Sequence, residues 1–266
     1  MKMLKIKGLT KKFNQGTIDE KVALAQVDLE LAAGEFVTIV GSNGAGKSTL
    51  LNCIAGVHEA DSGRIYLDGE DITDLPEWQR ARQIGRVFQD PLVGTAYDMS
   101  IEENLAIAYG KQKKLGLQPG LNKQDQEFFR RQLAQLGLGL EGRLKDKVGL
   151  LSGGQRQALT LLMATMVQPK LLLLDEHTAS LDPVTAQKVL ALTEKIITEH
   201  QLCTLMITHN MQEALTLGTR TIMMDRGKIM LDLQGEARAK MTVEDLVTEF
   251  ARKSGTQLSN DRMLLS

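Results

Sequence analysis

Several things are scarce in this chain. There are two cysteines in 266 residues, Cys53 and Cys203, and both stand in apolar runs. They read as small buried hydrophobes in a reducing compartment, not as a disulfide or a metal pair. No apolar run approaches the ~18–20 residues of a membrane span. The first residues, Met1-Lys2-Met3-Leu4-Lys5-Ile6-Lys7, alternate charge with apolar side chains, a strand pattern rather than a signal-peptide core. A soluble, cytoplasmic protein is expected, with any membrane role coming through a partner. Charge excess is lacking too: 32 basic residues face 33 acidic ones, for a net charge of −1. That argues against a general nucleic-acid binder. Internal repeats and low-complexity segments are absent. The length suits one large α/β domain or two small lobes, and a 42% hydrophobic fraction allows a sizeable core.

What is present begins at Phe36-Val-Thr-Ile-Val-Gly-Ser-Asn-Gly-Ala-Gly-Lys-Ser-Thr49. An apolar, β-rich segment runs into a glycine loop and then into the helix former Leu50-Leu51-Asn52-Cys53-Ile54-Ala55. Gly41 to Ser48 fit G-x-x-x-x-G-K-[ST]. Glycines at 41, 44 and 46 let the backbone turn its N–H groups onto an anion, and the helix starting near Gly46 aims its dipole at the same point. Lys47 supplies a charge for the β- and γ-phosphates, and Ser48 offers a hydroxyl to Mg²⁺. The strand before and the helix after separate this motif from an ordinary glycine turn.

Elsewhere, Leu4–Leu9 and Val22–Leu31 read as strands of an antiparallel layer, with Phe13 in their connection. Its ring either stacks on a base or packs in the core. Arg64–Leu67 is a strand before the turn Asp68-Gly69, and Pro76 opens a short helix. Arg86-Val87-Phe88 is a buried strand ending at Gln89. From about 98 to 166 the spacing becomes helical, at Ile101–Tyr109, Asp125–Leu136 and Gly153–Val167, with a lysine-rich loop at Gly110–Lys114. Leu171–Leu174 suits a central parallel strand. A helix at Val184–His200, a strand at Leu202–Thr208, a hairpin around Arg226-Gly227 and a helix at Met241–Lys253 follow. Strands alternating with helices predict a three-layer α/β core.

Asp175 and Glu176 end an apolar strand, where ligands bind in such folds. The expected roles are Asp175 on Mg²⁺ and Glu176 on the attacking water. His209 ends another buried strand, within reach of the γ-phosphate, and Gln89 at a strand end is placed to sense Mg²⁺ and the water. Leu151-Ser152-Gly153-Gly154-Gln155 opens a helix with Ser152 as N-cap, a second anion site 20 residues before Asp175. A head-to-tail pair of chains would put that site over the partner's γ-phosphate.

These residues together resemble the nucleotide-binding subunit of an ATP-binding cassette (ABC) transporter over about residues 1–250. The resemblance assigns Phe13 to the adenine and makes Gly41, Ser42, Asn43, Gly44, Ala45, Gly46, Lys47, Ser48 and Thr49 the Walker A loop. Gln89 is its Q-loop, and Ser152, Gly153, Gly154 and Gln155 are its signature. Leu171–Asp175 plus Glu176 match Walker B and the catalytic glutamate, Ser180-Leu181-Asp182 the D-loop and His209 the switch histidine. His177 departs from the proline most common there. The resemblance implies a P-loop NTPase core with a mainly parallel sheet, an antiparallel β layer and an inserted helical subdomain. The expected division is 1–97 and 167–240 for the RecA-like core, 98–166 for the helical subdomain and 241–266 for a C-terminal helix and tail. It also implies ATP and Mg²⁺, a head-to-tail homodimer, a multi-spanning permease and an extracytoplasmic solute-binding protein. Its setting is the cytoplasmic face of a membrane, driving uptake of an amino acid or similar solute. The alternatives are an exporter ATPase or a soluble ABC ATPase of cluster assembly. The chain shows neither a long coiled-coil insertion nor a second cassette, which disfavours DNA-repair and translation members.

Overall fold

The structure is a computed structural model that describes residues 2–110 and 121–254. The lysine-rich loop after Gly110 and the end of the tail lie outside the described residues. Within them the chain runs β1 (Lys2–Phe13), β2 (Lys21–Ala32), β3 (Phe36–Gly41), α1 (Lys47–Ala55), β4 (Ser62–Leu67) and β5 (Glu70–Asp71). Next come α2 (Glu77–Arg80), β6 (Ile84–Val87), α3 (Ile101–Gly110), α4 (Lys123–Ala134) and α5 (Gly153–Thr165). Then follow β7 (Leu171–Asp175), α6 (Pro183–His200), β8 (Cys203–Ile207), α7 (Met211–Thr216), β9 (Arg220–Asp225) and β10 (Lys228–Gln234). The last helices are α8 (Gly235–Ala239) and α9 (Val243–Ser254).

Two sheets organise these elements. One is antiparallel, in the order β2-β1-β4-β5, and the other runs β10-β9-β3-β8-β7-β6. In the second sheet β9, β3, β8, β7 and β6 are parallel, and β10 closes the edge antiparallel to β9. Parallel strands covered on both faces are uniformly apolar, and β3 and β8 are buried at every position. Helix α1 lies between the sheets. Its Leu50, Leu51, Cys53 and Ile54 share a core cluster with Leu4, Ile6 and Leu29 of one sheet and Val37, Leu173 and Leu205 of the other. A helix walled on two sides is apolar almost all round. The opposite face of the large sheet is covered partly by α5 and α6, through Leu161, Leu172, Ile197 and Met206. Helices α7 and α9 cover the rest, where Met211 and Phe250 meet Val40 and Met223. Helices α3, α4 and α5 gather around a core of their own, with Leu105, Phe129, Leu133 and Leu159 inside it.

Phe13 is the last residue of β1, not part of the connection. The strand continues through the polar Lys11-Lys12 because β2 pairs with it as far as Phe13, and cross-strand pairing is invisible to a local pattern. Both cysteines are buried, Cys53 in α1 and Cys203 in β8. Desolvation pushes their thiols up to about 11 and about 12.

Candidate active site

Parallel pairing carries several chain ends to one edge of the large sheet. Asp175 stands opposite Ile207 across β7 and β8, and Ile39 opposite Ile207 across β3 and β8. Gly41 and the loop after it, Asp175-Glu176, and Thr208-His209 therefore meet at the carboxyl end of neighbouring strands. A cleft of about 200 Å³ forms there, lined by Phe13, Lys21, Ala23, the loop from Asn43 to Thr49, Glu176 and His209.

The loop is built for an anion. Gly46 is the N-cap of α1 at φ 99°, with no side-chain cap and no acidic residue in the first turn. By contrast α5, α6 and α7 are capped by Ser152, Asp182 and Asn210. The first N–H groups of α1 therefore have no side-chain acceptor. A Cβ on Gly46 would come within 2.3 Å of Ala23 O, so only glycine fits. Lys47 is buried and donates from Nζ to Gly41 O at 2.8 Å and Ser42 O at 3.1 Å. Burial holds its pKa below the ordinary lysine value, against the pull of Glu176 and Asp175.

Ser48 Oγ donates to Asp175 Oδ1 at 3.2 Å. Hydroxyl and carboxylate are the hard oxygen donors that Mg²⁺ takes alongside phosphate and water. Burial raises the pKa of Asp175, with the Ser48 hydrogen bond opposing it. Among the described residues no group of three His, Cys, Asp or Glu side chains is placed to hold a metal alone.

Glu176 adopts φ 48°, uncommon for a non-glycine residue, and its N–H donates to Ile207 O at 3.1 Å. That twist brings its carboxylate to His209, whose Nε2 lies 2.6 Å from Oε1. The acid is thus held by its neighbouring strand while facing the cleft.

The structure does not bring every expected residue to this cleft. Gln89 is exposed beyond β6, and its backbone carbonyl accepts from Ser180 Oγ at 3.3 Å. Ser152 and Gln155 form a reciprocal capping box on α5, each bonding the other's backbone N–H at 3.2 Å. Asp182 accepts from Thr185 N at 3.0 Å as the cap of α6. Ser152, Gly154 and Gln155 line a second hollow with Thr185 and Lys188, away from the loop. Three neighbours of the site escaped the sequence reading. Lys21 and Ala23 line the cleft, and the Arg86 guanidinium lies 3.9 Å from Asp175. Each stands in a strand whose local pattern marks only a solvated or packed position.

A family model described as ABC transporter matches residues 24–179. The chain belongs to the ABC transporter family. It is 44% identical over 248 residues to the tyrosine transport ATP-binding protein of Clostridioides difficile (strain R20291), covering 93% of this chain and 98% of that protein. The aliphatic sulfonates import ATP-binding protein SsuB 2 of Agrobacterium fabrum (strain C58) is 34% identical over 261 residues, covering 97% of this chain and 90% of that one. Among solved structures, the post-hydrolysis dimer of the ATP-binding cassette MJ0796 bound to ADP and Pi matches with a TM-score of 0.75. Its identity is 28%, and 87% of this chain and 98% of that one are covered. As a member of this ABC family the chain is an ATP-binding, ATP-hydrolysing subunit of a transporter. No helix among the described residues is long and apolar enough to cross a membrane.

Proposed function

We propose that this chain hydrolyses ATP·Mg²⁺ in the cleft as a peripheral subunit on the cytoplasmic side of a membrane, driving uptake of an amino acid or similar small solute. The observation that carries the reading is the Glu176–His209 pair at the rim of the phosphate loop, 2.6 Å apart. Lys47 and the uncapped start of α1 bind the phosphates, and Phe13 faces the base. Ser48 and Asp175 would hold Mg²⁺, which neutralises phosphate charge when bound. Glu176 orients the attacking water and takes its proton, and His209 keeps that carboxylate turned toward the cleft.

The transport setting rests on the relatives. The dimeric cassette among the solved structures supports a homodimer; in this reading the pair is head to tail, Ser152, Gly153, Gly154, Gln155 and Asp182 face the partner's nucleotide, and Gln89 links the site to the permease. In this reading 98–166 is a helical subdomain, 1–97 with 167–240 the core, and 241–266 a C-terminal appendage. The groove lined by Phe88, Val93, Gly94, Ile107 and Met163 is the docking place for the permease. An extracytoplasmic binding protein would deliver the solute.

The test is Glu176→Gln in a phosphate-release assay. Turnover should fall at least about 100-fold while ATP binding is kept. Turnover at the wild-type rate would remove Glu176 from this role.

A further inference from the structure

The β1–β2 register places Phe13 and Lys21 directly opposite each other, on either side of residues 14–20. Both side chains line the cleft. The Phe13 ring is braced from behind, edge-on to His58 with centroids 5.2 Å apart at 80°, and Lys11 Nζ lies 5.6 Å from its centroid. Lys21 reaches the phosphate loop. Its ammonium lies 3.5 Å from the point where a Cβ on Gly44 would sit, so the missing side chain of the loop keeps that space open.

The other lysines of this region are engaged. Lys11 pairs with Asp61 at 3.1 Å and Lys12 with Glu20 at 3.4 Å, while Lys47 is held by two loop carbonyls. The Lys21 ammonium meets no carboxylate within 4.0 Å and makes no hydrogen bond among the described residues. An unpaired cation beside a loop of inward N–H groups is an anion contact.

We infer that Lys21 is a second cationic contact for the nucleotide, gripping the phosphates next to the base from the side opposite Lys47. The inference rests on the ATP reading above. Lying between Phe13 and the loop, Lys21 serves phosphates that ATP and ADP have in common. It is therefore an affinity residue, and its contact is made equally before and after hydrolysis.

Equilibrium binding of ATP and of ADP to the full chain tests this, with Lys21→Gln compared against Lys7→Gln, a charge-matched change at an exposed position of β1. Lys21→Gln should weaken both nucleotides about 3- to 10-fold. The loss should be larger at low salt, and kcat should be kept with a raised KM. Lys21→Arg should keep most of the affinity, and Lys7→Gln should match the wild type. Equal affinities for Lys21→Gln and wild type would overturn the inference, as would an equal loss in Lys7→Gln or a loss confined to ATP. A wild-type chain that binds neither nucleotide would instead overturn the ATP reading itself.

Discussion

His177 donates from Nε2 to Thr193 Oγ1, 3.1 Å away, and the direction of this bond is set by a third group. Thr193 spends its one hydroxyl hydrogen on Val189 O at 2.8 Å, so toward the ring it can only accept. The imidazole is buried at 1% exposure, and desolvation pushes its pKa down to about 4. A neutral ring of one tautomer therefore ties the residue after Glu176 to the middle of α6. That hydrogen bond links the turn after Glu176 to α6.

A pH dependence of stability follows. The unfolded ring titrates near the ordinary value of about 6.5 and the folded one near 4. Above the unfolded value neither state gains a proton at this position. As pH falls below it, the unfolded chain takes up a proton that the native ring refuses, so stability is lost down to the folded value. The total is about 3 kcal/mol. Urea unfolding at about pH 7 and about pH 4.5 should show a loss in the wild type larger by about 2–3 kcal/mol than in His177→Gln. Equal losses in both would place the acid sensitivity elsewhere.

On the proposed roles, removing the ring that pairs with the Glu176 carboxylate should affect the chemical step rather than binding. In His209→Ala, kcat for ATP should drop about 100-fold with KM within about threefold of wild type. Steady-state kinetics separates this from a nucleotide-binding role, in which KM would rise and kcat would survive.

Gly154 packs against α6 with no room for a methyl group. A Cβ there would lie 2.2 Å from Thr185 Cγ2. Alanine is the better helix former by about 0.5–1 kcal/mol, but overpacking costs about 1–3 kcal/mol and wins. Gly154→Ala should lower the melting temperature. Adding Thr185→Ser, which deletes the clashing methyl, should restore most of it. A double variant no better than the single one would show that the strain lies elsewhere.

Arg80 is 3% exposed, and its guanidinium gathers four backbone carbonyls. Nη1 donates to Cys53 O at 2.7 Å and Ile54 O at 3.0 Å, closing the end of α1. Nε reaches Leu75 O at 2.8 Å and Nη2 Thr73 O at 2.7 Å. A lysine keeps the charge but cannot fork to all four. Arg80→Lys should cost about 2–4 kcal/mol by urea titration while leaving the KM for ATP close to wild type. A cost under about 0.5 kcal/mol would mean that water replaces the fork.

Some of the site was legible because its chemistry is contiguous. The strand, the glycine loop and α1 occupy adjacent residues, so Gly41 to Thr49 carry their purpose in local order. Asp175 and Glu176 announce themselves as carboxylates closing a run of four leucines. Short elements were harder to read: α7 spans Met211–Thr216 and α8 spans Gly235–Ala239, each under two full turns. A segment of that length shows too few apolar repeats for its period to be counted, although Asn210 with Glu213 is a cap signal for α7.

By itself the sequence determined the longer strands and helices, the phosphate loop and the acids at the strand ends, because each depends on neighbouring residues and a short period. The tertiary structure alone decided which distant residues meet. Register across β1 and β2 set Phe13 against Lys21, and parallel alignment of β7 with β8 brought His209 to Glu176. The packing of α6 beneath the sheet supplied Thr193 to His177. Those meetings depend on strand register and on how layers stack, and a slip of one residue would move every side chain to the opposite face.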